Sequence, residues 1–292
     1  MKMKKVVQAL VLLFVACNAQ AQSKSLLWKI SGNGLAEPSY LYGTMHTADK
    51  RIIDMGDKAK PYFDASKAYA MEIDPDGDKN MMGLMGKMMM GKDYSLQKMI
   101  PAKEYTYLDS ICSSQVGVPM IMFDNVSPVI IMTIFEAASM GLDEGSIEGK
   151  VPVLDLYFHD QAKKAKKKVI GIETVEEQLG ALSALSYQEQ ADMLKEEVDS
   201  FRVNGSSGSE VLKYYLDQDL DGLAANSDED MKKDEKFYKA LVVDRNARMA
   251  TRMAEFIKKQ STFIAIGALH LPGDVGVIAL LRKKGFTVEP VL

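Results

Sequence analysis

Two of the three histidines in the chain lie in the same short motif, a glycine followed three residues later by a histidine. The motif occurs at residues 43–46 (Gly-Thr-Met-His) and 267–270 (Gly-Ala-Leu-His), each time directly after a short apolar segment typical of a buried strand. Ligands of α/β proteins bind outside the carboxyl ends of strands, where glycine permits a tight turn and a close approach of another group. If the two strands are neighbours, the imidazoles of His46 and His270 converge.

Two further strand-like segments end on glutamates, Glu72 and Glu173. Imidazole nitrogens and carboxylate oxygens are ligands of Zn²⁺ and of related divalent ions. Two histidines and two glutamates at one edge of a sheet would therefore form a site with metal-ligand character. The alternative is that each side chain forms separate hydrogen bonds at the surface. In that case four strand ends would carry metal-ligand residue types by coincidence.

The elements that must position these residues alternate between strands and helices. Short apolar runs bounded by glycine, proline or charge predict strands, and helical spacing of apolar residues fills the intervals. The predicted strands are residues 39–43, 68–73, 168–172 and 262–267, with 286–291 closing the chain and 27–31 as an edge strand. The predicted helices are residues 49–63, 151–167, 175–185, 187–201, 209–216, 230–259 and 274–284.

This order predicts an α/β fold with a central mixed β-sheet, flanking helices and a helical insertion. The first half reads strand–His then strand–Glu, and the second reads strand–Glu then strand–His, which suggests two pseudo-related halves. Residues 76–92 are rich in methionine and glycine and predict a lid or a helix, with a soft-metal methionine cluster at 81–90 as the alternative. Residues 119–140 predict a pair of core helices broken at Pro128.

Residues 1–21 have the signature of a secretory signal peptide: an initial lysine-rich region, an apolar run too short to span a bilayer, and small residues at the cleavage positions. We expect an exported protein, periplasmic or secreted, with a mature domain of residues 22–292. Because residues 14–16 resemble a loose lipobox, a lipid anchor at Cys17 is the alternative route. No other long apolar stretch follows, so no transmembrane span is expected after signal removal.

The composition excludes several classes of protein. With 292 residues, 47% hydrophobic and 26% charged, the chain is neither disordered, collagen-like nor a multi-span membrane protein. Its net charge of −4 argues against nucleic-acid binding. Cleavage after residue 21 would leave Cys112 as the remaining cysteine, so the core must be held by packing without an internal disulfide.

Several segments together resemble the TraB/PrgY/GumN family, and the resemblance covers nearly all of the predicted mature chain. This family is related to the TIKI membrane-associated proteases, which cleave Wnt proteins in a metal-dependent way with paired G-x-x-H motifs. More distantly it is similar to the erythromycin esterase and ChaN haem-binding group, which implies that kind of α/β fold. The matching segments are residues 27–30 (Leu-Trp-Lys-Ile), 40–46 (Tyr-Leu-Tyr-Gly-Thr-Met-His), 153–155 (Val-Leu-Asp), 171–179 (Gly-Ile-Glu-Thr-Val-Glu-Glu-Gln-Leu), 245–246 (Arg-Asn) and 267–270 (Gly-Ala-Leu-His).

The resemblance also implies roles for individual residues. Arg245 matches the arginine of the family's Arg-Asn pair and is the candidate to bind a carboxylate or to stabilise an oxyanion. Asp155 fits the family pattern, whereas His159, one helical turn later and able to pair with it, is expected to be structural. The motif residues that match are the histidines His46 and His270, their glycines Gly43 and Gly267, and the strand-end acids Glu72 and Glu173.

The leading hypothesis is a metal-dependent hydrolase of the cell envelope, in particular a peptidase acting on a peptide or protein substrate. A divalent ion (Mn, Co or Zn) would be held by His46, His270 and Glu72. Glu173, which directly precedes a predicted helix, would act as the general base, with Glu72 as the other catalytic carboxylate. Neither H-E-x-x-H nor G-x-S-x-G is present. The alternative is a non-catalytic envelope protein that binds haem or a peptide in the same cleft.

Overall fold

Six strands form one mixed sheet in a computed structural model of the protein, which describes residues 24–46, 49–77, 81–139, 152–204, 208–231 and 234–291. The strands lie in the order β4-β3-β5-β2-β1-β6. Strands β2, β5, β3 and β4 are parallel, whereas β1 is antiparallel to both of its neighbours. The strands are β1 (Leu27–Ser31), β2 (Ser39–Thr44), β3 (Ala68–Met71), β4 (Lys168–Gly171), β5 (Thr262–Gly267) and β6 (Thr287–Pro290).

The α/β class and the mixed sheet are therefore confirmed, and all six predicted strands are present. The prediction that residues 27–31 form an edge strand is wrong. Strand β1 pairs with β2 on one side and with β6 on the other, so that β4 and β6 are the edges. The error has a physical cause. Strand β6, which pairs with β1, lies far along the chain, and no local sequence pattern predicts a pairing between such distant segments.

Helices occupy the intervals between the strands. The helices are α1 (Lys50–Ala65), α2 (Met81–Met88), α3 (Leu96–Met99), α4 (Ala102–Ile111), α5 (Pro128–Ser139), α6 (Leu154–Lys164), α7 (Val175–Leu182), α8 (Tyr187–Asn204), α9 (Gly208–Leu216), α10 (Leu220–Met231), α11 (Glu235–Tyr238), α12 (Asp244–Ile257) and α13 (Val277–Lys283). Short 3₁₀ turns at Met120–Phe123 and Ala268–His270 and π turns at Cys112–Val116 and Lys239–Val243 complete the elements.

The single long helix predicted at residues 230–259 is wrong. Helix α10 ends at Met231, and the chain starts a new helix at Asp234, whose side chain accepts a hydrogen bond from the backbone N–H of Phe237. A helix N-cap of this kind satisfies backbone donors that a continuous helix would satisfy internally. The π turn at Lys239–Val243 then leads into α12, which supplies the candidate site.

Both faces of the sheet are buried, as expected for parallel strands. One face is aromatic: Phe263 of β5 contacts Phe63 of α1 and Phe158 of α6, with ring centroids 5.5 and 4.9 Å apart. On the other face, Leu41 and Ile264 are completely buried. Met249, Ala250 and Met253 of α12 belong to the same hydrophobic core. Because successive residues of a strand point to opposite faces, each strand end delivers side chains to both of these environments.

The predicted helical insertion has a small core of its own. Leu96, Leu108, Met120, Ile131 and Leu194 pack together there, away from the sheet. The methionine-rich segment is helical from Met81 to Met88, and α5 begins at the predicted break, Pro128. Within the described parts of the chain, no helix has the length and apolar character needed to cross a membrane. The predicted signal peptide at 1–21 and the lipid anchor at Cys17 lie outside the described residues.

Candidate active site

The register of the parallel strands brings the four predicted strand ends together. Thr44 at the end of β2 is the partner of Gly267 at the end of β5. Met71 at the end of β3 is the partner of Ala265 in β5 and of Gly171 in β4. Beyond the last residues of β3 and β4, the backbone N–H of Glu173 still donates to the carbonyl oxygen of Glu72 at 2.7 Å. The two glutamates are thus neighbours at one edge of the sheet.

Arg245 joins these two glutamates. Its Nε and Nη2 donate to Oε2 of Glu173 at 2.9 and 2.7 Å, and Nη2 also donates to Oε2 of Glu72 at 2.8 Å. The other oxygen of Glu173 accepts from Nη2 of Arg248 at 3.3 Å. The Glu173 side chain has no exposed surface, so its charge is stable only because two guanidinium groups compensate it.

Glu72 has partners on both oxygens. Oε1 accepts from the backbone N–H of Gly267 at 2.8 Å, and Oε2 accepts from the side-chain amide of Gln178 at 3.0 Å in addition to Arg245. Burial by itself would raise the pKa of Glu72, but the charges of His270 and Arg245 and the Gly267 hydrogen bond lower that pKa to about 2. Glu72 is therefore ionised at every physiological pH.

His270 presents one ring nitrogen to Glu72. Its Nε2 lies 3.9 Å from Oε1 of Glu72, too far for a hydrogen bond. Its Nδ1 lies 2.7 Å from Oδ1 of Asn246, and the Asn246 amide donates to the carbonyl of Val275 at 2.9 Å. Because the amide nitrogen of Asn246 donates to Val275, the Asn246 atom that faces His270 is the oxygen, which accepts. Nδ1 of His270 therefore holds the proton, and Nε2 keeps its lone pair. Burial, opposed by the charge of Glu72, lowers the pKa of His270 and favours this neutral form.

His46 lies on the other side of the site, facing Asp155 of α6. Its Nε2 is 3.5 Å from Oδ2 of Asp155, and the His46 side chain is 61% exposed. Oδ1 of Asp155 accepts from the hydroxyl of Thr44 at 2.8 Å, whereas Oδ2 is buried and accepts no hydrogen bond. Burial raises the pKa of Asp155, and His46 and Thr44 partly oppose this change.

The two motif glycines allow close approach at this edge. A Cβ added at Gly43 would lie 3.1 Å from Ala268, so glycine lets the end of β2 pack against the turn that follows β5. A Cβ at Gly267 would lie 3.3 Å from Oε1 of Glu72, the atom that accepts the Gly267 N–H. At both positions a side chain would require its neighbours to shift, which glycine avoids.

The chemical types of these donors suit a divalent ion. Nε2 of His46 lies 3.5 Å from Oδ2 of Asp155, and Nε2 of His270 lies 3.9 Å from Oε1 of Glu72. Within the described residues, three candidate ligand atoms come within 4.8 Å of one another only at Asp74, Asp76 and His159. Oδ2 of Asp155 is a buried acceptor without a donor, which is costly unless a proton or a cation compensates it. Mixed nitrogen and oxygen donors of this type suit Zn²⁺, Mn²⁺ or Co²⁺.

The chain is similar to known proteins over most of its length. The model of the TraB/PrgY/gumN family matches residues 26–290. The chain belongs to this family. Among curated relatives, metalloprotease TIKI1 of Xenopus tropicalis is 25% identical over 92% of the chain and 62% of its own length. Metalloprotease TIKI2 of Danio rerio is 24% identical over 93% of the chain and 62% of its own length.

The metalloprotease TIKI homolog of Nematostella vectensis is 25% identical over 93% of the chain and 68% of its own length. The chain thus spans about 62% of the length of the first of these TIKI relatives. No solved structure gave a significant match to it.

Sequence reasoning on this TraB/PrgY/gumN protein missed several neighbours of the site. Arg245, Arg248 and Arg252 recur along one face of α12, and this spacing could have indicated an arginine row facing the glutamates. The partners Asn246 and Gln178 lie in segments that carry the family resemblance, but those segments do not indicate what the two side chains contact. The expected pairing of Asp155 with His159 is replaced by the contacts of Asp155 with Thr44 and His46, while His159 faces the loop after β3.

Proposed function

We propose that this TraB/PrgY/gumN protein is a metal-dependent hydrolase that cleaves peptide bonds. The observation that supports this most is the buried Asp155 Oδ2, which accepts no hydrogen bond and lies 3.5 Å from the Nε2 of the exposed His46. Relatives named metalloproteases match more than nine-tenths of the chain. The same site could bind haem or a peptide without cleavage, but the carboxylates beside both histidines favour hydrolysis over haem binding.

In the proposed mechanism, His46, His270 and Glu72 would hold the divalent ion, and Asp155 would act as the base. Such an ion lowers the pKa of a water molecule at an open site to about 7. Asp155 accepts the proton at Oδ2, the carboxylate oxygen without a donor, and returns it to the leaving amine. Its raised pKa suits this exchange better than the strongly lowered pKa of Glu72.

This proposal differs from the sequence-based hypothesis in the role of Glu173. A general base must reach the proton that it takes, but both Glu173 oxygens are bound by arginines and its side chain has no exposed surface. We propose that Glu173 is a positioning residue. It orients Arg245, which binds the carboxylates of the protein itself and fixes Glu72.

The proposal has two finer parts. Residues 1–21 act as a signal peptide, so that the domain of residues 22–292 works in the periplasm or outside the cell, with a lipid anchor at Cys17 as the alternative. The sheet and its helical insertion form an erythromycin esterase/ChaN-like fold with two pseudo-related halves. The residue pattern of positions 1–21 supports the first part. The sequence resemblance and the order of the strand–His and strand–Glu segments support the second.

The test combines metal analysis with a peptide-library cleavage assay. After removal of metal by a chelator, the protein should regain cleavage with Mn²⁺, Co²⁺ or Zn²⁺. His46→Ala and His270→Ala should lose bound metal. Asp155→Asn should keep metal but lose ~10²–10⁴-fold in activity if it is the base. Because His46 is 61% exposed, loss of metal in its variant cannot be attributed to unfolding.

The comparison of Asp155→Asn with Glu173→Gln decides the base. If Glu173→Gln folds, keeps metal and loses as much activity as expected for Asp155→Asn, the sequence-based assignment is right instead. The exposed acids Asp64 and Glu176 supply the matched controls Asp64→Asn and Glu176→Gln, which should leave activity unchanged. Full activity in the chelated protein would overturn the hydrolase mechanism, and tight peptide or haem binding without cleavage would favour the binding module.

A further inference from the structure

A second cluster of candidate ligands lies beyond the site described above, where the loop after β3 meets α6. The His159 side chain is 6% exposed, and its Nε2 is buried without a hydrogen-bond partner. That nitrogen points at two carboxylates, with Oδ1 of Asp74 at 3.7 Å and Oδ2 of Asp76 at 3.6 Å. A buried acceptor or donor left without a partner costs free energy, so the cluster needs a further ligand or a proton.

We propose that Asp74, Asp76 and His159 form a second binding site for a divalent transition-metal ion. The three ligand atoms all lie within 4.8 Å of one another. Ligands bound to one ion at about 2.0–2.2 Å lie roughly 3–4.4 Å apart, and both nitrogen–oxygen distances fall in this interval. The arrangement therefore accommodates an ion with little movement.

The chemistry of the donors selects the class of ion. One imidazole nitrogen with two carboxylate oxygens suits Zn²⁺, Mn²⁺ or Co²⁺, whereas Ca²⁺ takes oxygen ligands. Asp76 is 60% exposed, so water can complete the coordination on that side. Asp74 is held from the other side, because its backbone packs on Gly171, where a Cβ would lie 3.1 Å from the Asp74 nitrogen.

Lys163 competes with the ion in this arrangement. Its ammonium donates to Oδ2 of Asp76 at 2.8 Å, the same oxygen that faces His159. The Lys163 side chain is 54% exposed and can turn into solvent when a cation binds. A lysine in this position lowers the affinity of the site for a cation, and its removal should raise that affinity.

The second site would tie together the two elements that supply the first. Glu72 and Asp74 follow β3 two residues apart, and Asp155 and His159 lie one turn apart on α6. A cation at the second site therefore links the β3 loop to α6 and restrains both Glu72 and Asp155. This role does not depend on peptidase activity.

The experiment removes the first site and measures what remains. In the full chain with His46→Ala and His270→Ala together, Mn²⁺ titration followed by electron paramagnetic resonance should report one bound ion per chain. Adding Asp76→Asn or His159→Gln should weaken this binding ~10-fold or more, and adding Lys163→Met should strengthen it. The control Asp54→Asn removes an acid 54% exposed on helix α1, where it pairs with Lys50, and should change nothing.

Two results would overturn the second site. One is the absence of a bound ion at millimolar Mn²⁺ in the double variant. The other is Mn²⁺ affinity that does not respond to Asp76→Asn, which cannot be ascribed to misfolding because Asp76 is largely exposed. In either case the cluster of Asp74, Asp76 and His159 is not a metal site. Neither result bears on the first site, whose failure would appear as undiminished peptide cleavage in the double variant.

Discussion

The two sides of the candidate site are built in opposite ways. On the arginine side (Glu72, Glu173 and Arg245), every carboxylate oxygen has a donor and the side chains are 14%, 0% and 11% exposed. On the histidine side (His46 and Asp155), the imidazole is 61% exposed and one buried carboxylate oxygen has no donor. A fully satisfied polar network is rigid, whereas a buried polar group without a partner is costly. Under the proposed function, the arginine side would fix the geometry of the site and the histidine side would take part in the reaction.

The division follows from strand alternation. Neighbouring residues at a strand end point to opposite faces of the sheet, so Thr44 contacts Asp155 of α6 while the preceding Gly43 packs against the turn after β5. On the aromatic face, the hydroxyl of Tyr69 also donates to the carbonyl of Asp155. Each side of the site is therefore fastened to a different layer of helices.

The largest expected effect tests the arginine side. Arg245→Met leaves two buried carboxylates without their shared counter-ion, and we expect it to lower the free energy of unfolding by about 3–5 kcal/mol. Urea denaturation followed by circular dichroism measures this loss. Arg248→Met is the matched control: Arg248 is 36% exposed and makes one bond of 3.3 Å, so a loss of about 1 kcal/mol or less is expected. Equal losses would remove the distinction between the two arginines.

An intermediate effect tests the connection between the sides. Asn246→Ala removes the acceptor that fixes the His270 ring, and loss of such a partner typically weakens metal affinity ~10–100-fold. Competition with a fluorescent chelator measures the change. Asn246→Asp keeps an oxygen for Nδ1 of His270 and should restore much of the affinity. Unchanged affinity in the alanine variant would mean that packing alone orients His270.

The smallest effect tests the same ion pairing in a more exposed place. Arg252, the third member of the arginine row, binds both oxygens of Glu177 at 2.7 and 2.6 Å, and these hydrogen bonds, opposed by burial, lower the pKa of Glu177 to about 2. Because the folded-state pKa is depressed, the ionised carboxylate stabilises the fold above its ordinary pKa of about 4.5, and this contribution disappears as the pH falls to about 2.

Glu177→Gln should therefore destabilise the protein near neutral pH and cease to do so as the pH approaches 2. Since the side chains of Glu177 and Arg252 are 28% and 40% exposed, the loss should be no more than about 1 kcal/mol. Chemical denaturation of the variant and of the unaltered protein between pH 2 and 6 measures the difference. A difference that grows towards low pH has the wrong sign and would refute the assignment.

The strand ends could be predicted from sequence because their signals are local. Each apolar run ends at a glycine or an acidic residue. The carboxyl ends of neighbouring parallel strands lie at the same edge of the sheet, so no further signal is needed to predict that these residues converge. The convergence of Glu72, Glu173 and His270 follows from that rule. The rule does not predict which side chains bind each carboxylate. Glu72 and Glu173 have the same side chain and comparable positions, yet the base role inferred for Glu173 conflicts with the two arginines that enclose it.

The remaining errors concern partners that are distant in sequence. Asp155 and His159 have the spacing of a helical pair, but each lies beside a residue of another element. Asp155 lies 3.5 Å from His46, and His159 lies 3.7 Å from Asp74. Helix spacing predicts which residues share a face and not what that face contacts. Similarly, the break at Asp234 depends on a side-chain cap that competes with continuation of the helix.

The position of β5 in the sheet has a consequence for how the chain folds. This strand lies between β2 and β3, yet it is synthesised about 220 residues after β2 begins. Until β5 has been synthesised, β2 and β3 have no common neighbour. Strand β1 lacks its second neighbour until β6 has been synthesised as well. Contacts over such separations are slow to form because a long loop must close before they stabilise anything. The sheet is therefore assembled late, when nearly the whole chain is available. The pairing of β1 with β6, the first and last strands along the chain, is among the last to form.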